Sequence, residues 1–285
     1  MIGAIIQART SSTRLPGKVL LELPYGSGIT VLQQVIRRLK QSKKIDTIVV
    51  ATTEDKADDA IVDMASREGV LSFRGSKDNV LERYYQAAKA FGLETIVRIT
   101  SDCPCIDASL VDRTIEQYFM ANADYSSISA ARSFPRGLDH EVFSFQTLET
   151  THKKATEDYE KEHVTPYIYK SKPDAFKISL VDLPDELYAT EVRVTIDTEE
   201  DYALLCMLYE NLYSRKEYFD AKDIIRLFKE KPWIRFINKK IAQKKMFDTV
   251  DEEIIEALRI IGLNDLNRAK KVFETHLKPS KDREL

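Results

Sequence analysis

Cysteine is scarce. The 285-residue chain has three, Cys103, Cys105 and Cys206, an odd and widely spaced set that makes no disulfide framework. Cys103-Pro104-Cys105 is neither a CxxC redox pair nor half of a zinc site of usual spacing. This usage predicts a reducing, cytoplasmic setting. Neither sign of charge dominates: Lys+Arg 43 against Asp+Glu 46 leaves a net charge of −3, which argues against gripping nucleic acid by bulk charge. No apolar run is long enough to cross a membrane, and MIGAIIQART lacks the basic start of a signal peptide. There is no internal repeat and no low-complexity segment. GxxxxGK[ST] and GxGxxG are both missing, which excludes a Walker loop and a dinucleotide fingerprint. Small-molecule partners are expected, with no nucleic acid and no membrane.

What remains is a chain able to build a core. Hydrophobic residues make up 43%, too many for global disorder. The first half alternates between two periods. Apolar runs at 2–7, 48–51, 70–73 and 95–100 read as strands buried on both faces. Between them lie helical patterns: 31–39 capped by Thr30, 58–68, one capped by Asp78 and running to 90, and one capped by Asp107 and running to 121. Strand–helix alternation predicts an α/β, Rossmann-like fold: a mostly parallel sheet, helices on both faces. Further strands are expected at 124–129, 141–145, 176–181 and 192–196, and helices near 157–169, 199–213 and 221–230. The expected division is a catalytic domain over 1–237 and a helical C-terminal appendage over 238–285, fraying after Leu277.

In such sheets ligands sit beyond the carboxyl ends of the strands. Two segments fall there. Gln7-Ala8-Arg9-Thr10-Ser11-Ser12-Thr13-Arg14-Leu15-Pro16-Gly17-Lys18 follows the first strand with three cations and four hydroxyls, a composition suited to a polyphosphate. The competing reading is a solvated loop. Ser101-Asp102 follows the strand at 95–100. Asp102 and Asp197 both end predicted strands and can meet over the site. Each has a plainer reading as a cap, Asp102 of a turn and Asp197 of the helix near 199. Pro104 breaks the Asp-x-Asp pattern of glycosyltransferases.

The segment QARTSSTRLPGKV resembles the signature of sugar-activating cytidylyltransferases, the acylneuraminate and 3-deoxy-manno-octulosonate enzymes. GSKDNVLERYY at 75–85, TSDCPCID at 100–107, PRGLDHEVFS at 135–144, KEHVTPYIY at 161–169 and RVTIDTEEDY at 193–202 resemble, in order, the branch called spore coat polysaccharide biosynthesis protein F. The resemblance implies the nucleotide-diphospho-sugar transferase fold and the reaction CTP plus sugar giving CMP-sugar plus pyrophosphate. It also implies Mg²⁺ on Asp102 and Asp197, and a homodimer. Arg9 and Lys18 then bind the triphosphate, Arg14 assists, and Gln7 and Ala8 lie near the base. The loop containing Asp78 lies near the base or ribose, with Arg83 on the following helix facing the cleft. For the acceptor sugar, Arg136 is expected to engage an acidic group, and Asp139, His140, Glu141 and His163 to line the pocket. A charged turn and structural histidines are the competing readings there. The same fold serving another nucleotide, a glycosyltransferase and a non-catalytic nucleotide sensor are the rival functions.

Overall fold

The computed structural model describes residues 1–128, 134–241 and 249–276. Seven strands form one sheet in the order β3-β2-β1-β4-β6-β5-β7: β1 Ile2–Gln7, β2 Thr47–Thr53, β3 Leu71–Gly75, β4 Thr95–Thr100, β5 Tyr125–Ser127, β6 Glu141–Ser144 and β7 Ile178–Leu180. β3, β2, β1 and β4 are mutually parallel, and β6 runs antiparallel to both its neighbours β4 and β5. The α/β, mostly parallel architecture is as predicted.

The pleat explains the continuous apolar runs. Ala4, Ile6, Val50, Val97 and Ile99 point to one face. There they meet α1 (Val31–Leu39), α2 (Asp59–Arg67) and α4 (Ala108–Met120). Ile5, Val49 and Ile96 point to the other face, against α3 (Val80–Ala90) and α5 (Phe145–Lys154). Each such side chain moved from water contributes about 1.5–3 kcal/mol. α6 (Asp158–His163) follows, and a third cluster joins α7 (Glu199–Leu212) and α8 (Ala221–Glu230) to the stretch 181–196.

Several boundaries differ from the sequence reading. Asn79, not Asp78, caps α3, its side chain accepting from the Glu82 amide. Residues 192–196 form no strand, only an isolated bridge between Arg136 and Arg193. Their amides are satisfied singly: Val194 N–H donates to the Arg136 carbonyl and Ile196 N–H to that of Asp102. Ser144 ends β6 by capping α5, a helix not predicted because its apolar positions are few and interleaved with threonines. The strand expected at 124–129 is observed at Tyr125–Ser127, and Ser129 lies outside the described residues, as does the end expected to fray after Leu277.

The chain divides into two compact units, Met1–Lys239 and Lys240–Leu285. The second contains α9 (Val250–Leu263) and α10 (Asn267–His276). Among the described residues no helix is long and apolar enough to cross a membrane. All three cysteines are free thiols.

Candidate active site

β1, β2 and β4 are parallel, so their carboxyl ends share one edge of the sheet. Three loops leave it there. The first runs from Ala8 to Lys18 and folds around Thr10, whose carbonyl accepts from the amides of Ser12 and Gly17, both at 2.9 Å. Gly17 has φ +69°, a left-handed turn that favours glycine. The chain then enters a 3₁₀ turn, Lys18–Leu20, which starts at Lys18.

Lys18 is the hub. Its Nζ donates to Asp102 Oδ2 at 3.0 Å, to Asp197 Oδ1 at 2.9 Å and to the Ile196 carbonyl at 2.7 Å. Burial works against the ammonium, but the two carboxylates outweigh it and hold Lys18 above its ordinary pKa. Asp197 collects more charge. Arg14 lies 3.1 Å from Oδ1 and Arg193 donates to Oδ2 at 3.0 Å. Burial pushes this carboxyl up, yet Lys18, then Arg14 and the Arg193 hydrogen bond, bring it down to about 2. Asp197 is therefore no helix cap; Thr198 fills that place for α7.

Behind Asp197 stands a layer the sequence reading passed over. Arg193 donates through Nε and Nη2 to the fully buried Asp201, which also accepts from the Asp197 amide and from Asn238. A carboxylate, a guanidinium and a backbone amide thus lock the Asp197 carboxylate in place. The regular spacing of four, Arg193, Asp197, Asp201, is the signal that was available.

The neighbouring strand end holds a second polar layer. Gln7 Oε1 accepts from Arg98 at 3.3 Å, and Arg98 pairs with Glu141 at 2.6 Å. Glu141 also accepts from Tyr125 and Thr165. Its oxygens are thus committed inside the sheet, which corrects its expected role as a sugar ligand. His140 needs the same correction. It is buried between the Leu110 carbonyl, Thr114 and the Leu138 carbonyl, and burial lowers its pKa. Arg136 and Asp139 stay beside the site. A Cβ on Gly137, φ +102°, would sit 2.5 Å from the Thr195 amide, so this segment lies directly on the approach to Asp197. His163 ends α6 and Asp78 lies exposed before α3.

Arg9 makes no hydrogen bond or ion pair among the described residues, yet its charge reaches Arg83. Arg83 is 2% exposed and donates to the Ser76 carbonyl at 2.7 Å, while its Nε has no partner among the described residues. Burial first, then Arg9, lower its pKa. Two guanidinium groups that feel each other's charge, neither bonded to a carboxylate among the described residues, form a place for an anion.

Residues 3–224 match a protein family described as Cytidylyltransferase. An uncharacterised protein of Methanocaldococcus jannaschii is 42% identical over 84% of this chain and 95% of its own length. The spore coat polysaccharide biosynthesis protein SpsF of Bacillus subtilis is 36% identical over 80% of this chain and 94% of its own. Among solved structures, a cytidylyltransferase from Leptospira borgpetersenii superposes with a TM-score of 0.77 at 35% identity, covering 85% of this chain and 99% of that one.

Proposed function

Since this chain belongs to the cytidylyltransferase family, we propose that it transfers CMP from CTP to a sugar destined for a surface glycan, releasing pyrophosphate. The observation that carries this reading is the arrangement at the sheet edge: a loop whose Arg9 makes no ion pair among the described residues, the Lys18 ammonium and two convergent carboxylates. The reaction is an in-line displacement at the α-phosphorus. The sugar hydroxyl attacks, the bond to the bridging oxygen breaks, and the electron pair leaves with pyrophosphate. Little covalent work falls to the protein, which positions the reactants and neutralises charge.

Arg9 and Lys18 are assigned to the triphosphate, Arg9 as a planar fork with Arg83 behind it and Lys18 as a point charge. Arg14 bridges the loop to Asp197. Gln7 and the backbone of Ala8 are placed by the base, and Asp78 near the ribose. Arg136 and Asp139 are assigned to the acceptor, beside the attacking hydroxyl, and His163, at the end of α6, to the same pocket.

Mg²⁺ fits this donor set. One oxygen of Asp102 and one of Asp197 both lie within 3.0 Å of a single cationic atom, so the pair converges on one point. No group of three or more candidate ligands exists among the described residues, and Mg²⁺ needs no more than two carboxylates alongside phosphate oxygens and water. Asp102 and Asp197 would hold it, and when bound it polarises the α-phosphate. We assign this chemistry to residues 1–237 and read 238–285 as an appendage. The setting we propose is the cytoplasm and the assembly a homodimer, which sedimentation would contradict by returning a monomer.

Calorimetric titration with CTP, UTP, GTP and ATP, each with and without Mg²⁺, tests the reading. Mg²⁺-dependent binding of CTP above the others is expected; tighter binding of another nucleotide overturns the cytidine assignment. Arg9→Ala is expected to weaken CTP binding about 10–100-fold, the loss of a charge-assisted contact. Its melting temperature should stay within a degree or two, because Arg9 holds no ion pair among the described residues. An unchanged dissociation constant removes Arg9 from the phosphate site.

A further inference from the structure

Asp58 lies at the start of α2, beyond the end of β2, and is 1% exposed. It occupies the N-cap position but makes no side-chain capping bond. Its carboxylate turns instead to the loop after β1. Oδ1 accepts from the Thr10 amide at 2.8 Å and from the Thr10 hydroxyl at 2.7 Å. Oδ2 accepts from the hydroxyls of Thr52, at 3.1 Å, and Thr53. Burial alone would raise this carboxyl. The hydrogen bonds from Thr53, Thr10 and Thr52 more than offset it, so the group is ionised.

A buried carboxylate with four neutral donors and no ion pair among the described residues needs a reason. Capping is not the reason, and no cation among the described residues bonds to it, although its charge is felt at Arg83. The reason lies in what Thr10 does. Its amide and hydroxyl are held by Asp58, and its carbonyl holds Ser12 and Gly17. Thr10 directly follows Arg9, and Gly17 directly precedes Lys18. One side chain on the second loop therefore fixes the origin of both cations on the first.

We propose that Asp58 is the positioning residue of the phosphate-binding loop, holding Arg9 and Lys18 in the arrangement a triphosphate meets. This rests on the triphosphate reading above. The loop is then formed before the nucleotide arrives, and binding does not bear the cost of ordering it. Without Asp58 the loop samples other conformations, and the nucleotide must select the competent one, which weakens apparent affinity by the fraction competent. Asparagine at this position keeps a carbonyl for Thr10 and offers an N–H that the Thr52 or Thr53 hydroxyl can accept.

The test compares Asp58→Ala, Asp58→Asn and Thr10→Val with the parent enzyme, well below the melting transition, using the triphosphate that the parent turns over. Asp58→Ala is expected to raise KM for that nucleotide about 10–100-fold with kcat within about threefold. Asp58→Asn should recover most of the loss. Thr10→Val should raise KM by about 3–10-fold, and the double variant should behave like Asp58→Ala alone, because both remove one interaction. Amide hydrogen exchange over residues 8–20 should quicken in Asp58→Ala. Parental KM and parental exchange, with only a lower melting temperature, would overturn the proposal and leave Asp58 a purely structural residue. If Asp58→Ala does not fold, Thr10→Val decides alone, and a parental KM there overturns it. A parent that turns over a triphosphate other than CTP refutes the cytidine assignment and leaves this comparison intact.

Discussion

Asp197→Asn is expected to cut kcat/KM for CTP by about 10²–10³-fold and to destabilise the fold by about 3 kcal/mol. Both effects come from one position. Asp197 is the meeting point of Lys18, Arg14 and Arg193, and its side chain is only 12% exposed. Asparagine leaves three cations around a neutral amide. Lys18 retains Asp102 and Arg193 retains Asp201, which keeps the stability cost short of a wholly orphaned buried charge. The pH dependence gives a second reading of the same contact. The folded-state pKa, about 2, lies below the ordinary 3.8. The carboxylate therefore adds stability that is fully present above about pH 4 and lost as pH falls through 2. Its worth is about 2 kcal/mol. Urea unfolding in EDTA should show the stability gap between parent and variant narrowing from pH 5 to 2.5. A gap that stays constant over that range would show that the Asp197 charge does not stabilise the native state.

Glu141→Ala is expected to produce the largest loss of stability, about 3–5 kcal/mol, because it strands a buried guanidinium. Glu141 binds Arg98 at 2.6 Å and takes hydrogen bonds from Tyr125 and Thr165. Burial opposes the charge on Arg98, but Glu141 outweighs it and keeps that pKa raised. Among the described residues Nε of Arg98 has no hydrogen-bond partner, and only Gln7 Oε1, at 3.3 Å, would still accept from the guanidinium. Glu141→Gln should cost less, since the amide oxygen still accepts from Tyr125 or Thr165. Nucleotide binding should weaken as well through the Arg98–Gln7 contact. Equilibrium denaturation showing less than about 1 kcal/mol for Glu141→Ala would sink this account.

The parallel part of the sheet was legible because burial on both faces writes itself as runs such as Ile2–Gln7 and Thr95–Thr100. The site's first ring was legible for a related reason. Arg9, Lys18, Asp102 and Asp197 stand just past strands or predicted strands, where an α/β sheet collects its ligands. What stayed hidden depends on contacts distant in sequence. Nothing local distinguishes Glu141, turned into the sheet, from Asp139, left beside the site; β6 begins only at Glu141, and its pairing with β4 and β5 decides it. Asp58 reads as the start of a helix because aspartate favours that place, and only the fold brings Thr10 to it. Residues 192–196 have the composition of a strand but no continuous partner; their neighbour Arg136–Asp139 meets them at a single bridge.

The Lys18–Asp197 contact joins residues 179 positions apart, and Lys18–Asp102 joins residues 84 apart. The β1–β2 and β2–β3 pairings, by contrast, join residues much nearer in sequence, such as Gly3 with Thr47 and Val49 with Leu71. Closing so long a loop is entropically costly and follows the nearer pairings. The β1–β2–β3 pairings are thus expected to form before the Lys18–Asp197 contact closes. During synthesis the nascent chain can build its four-stranded half while Lys18 still waits for Asp197. Substitutions in the cluster should accordingly speed unfolding and leave the refolding rate nearly unchanged, whereas those at Ile5 or Val49 should slow refolding itself.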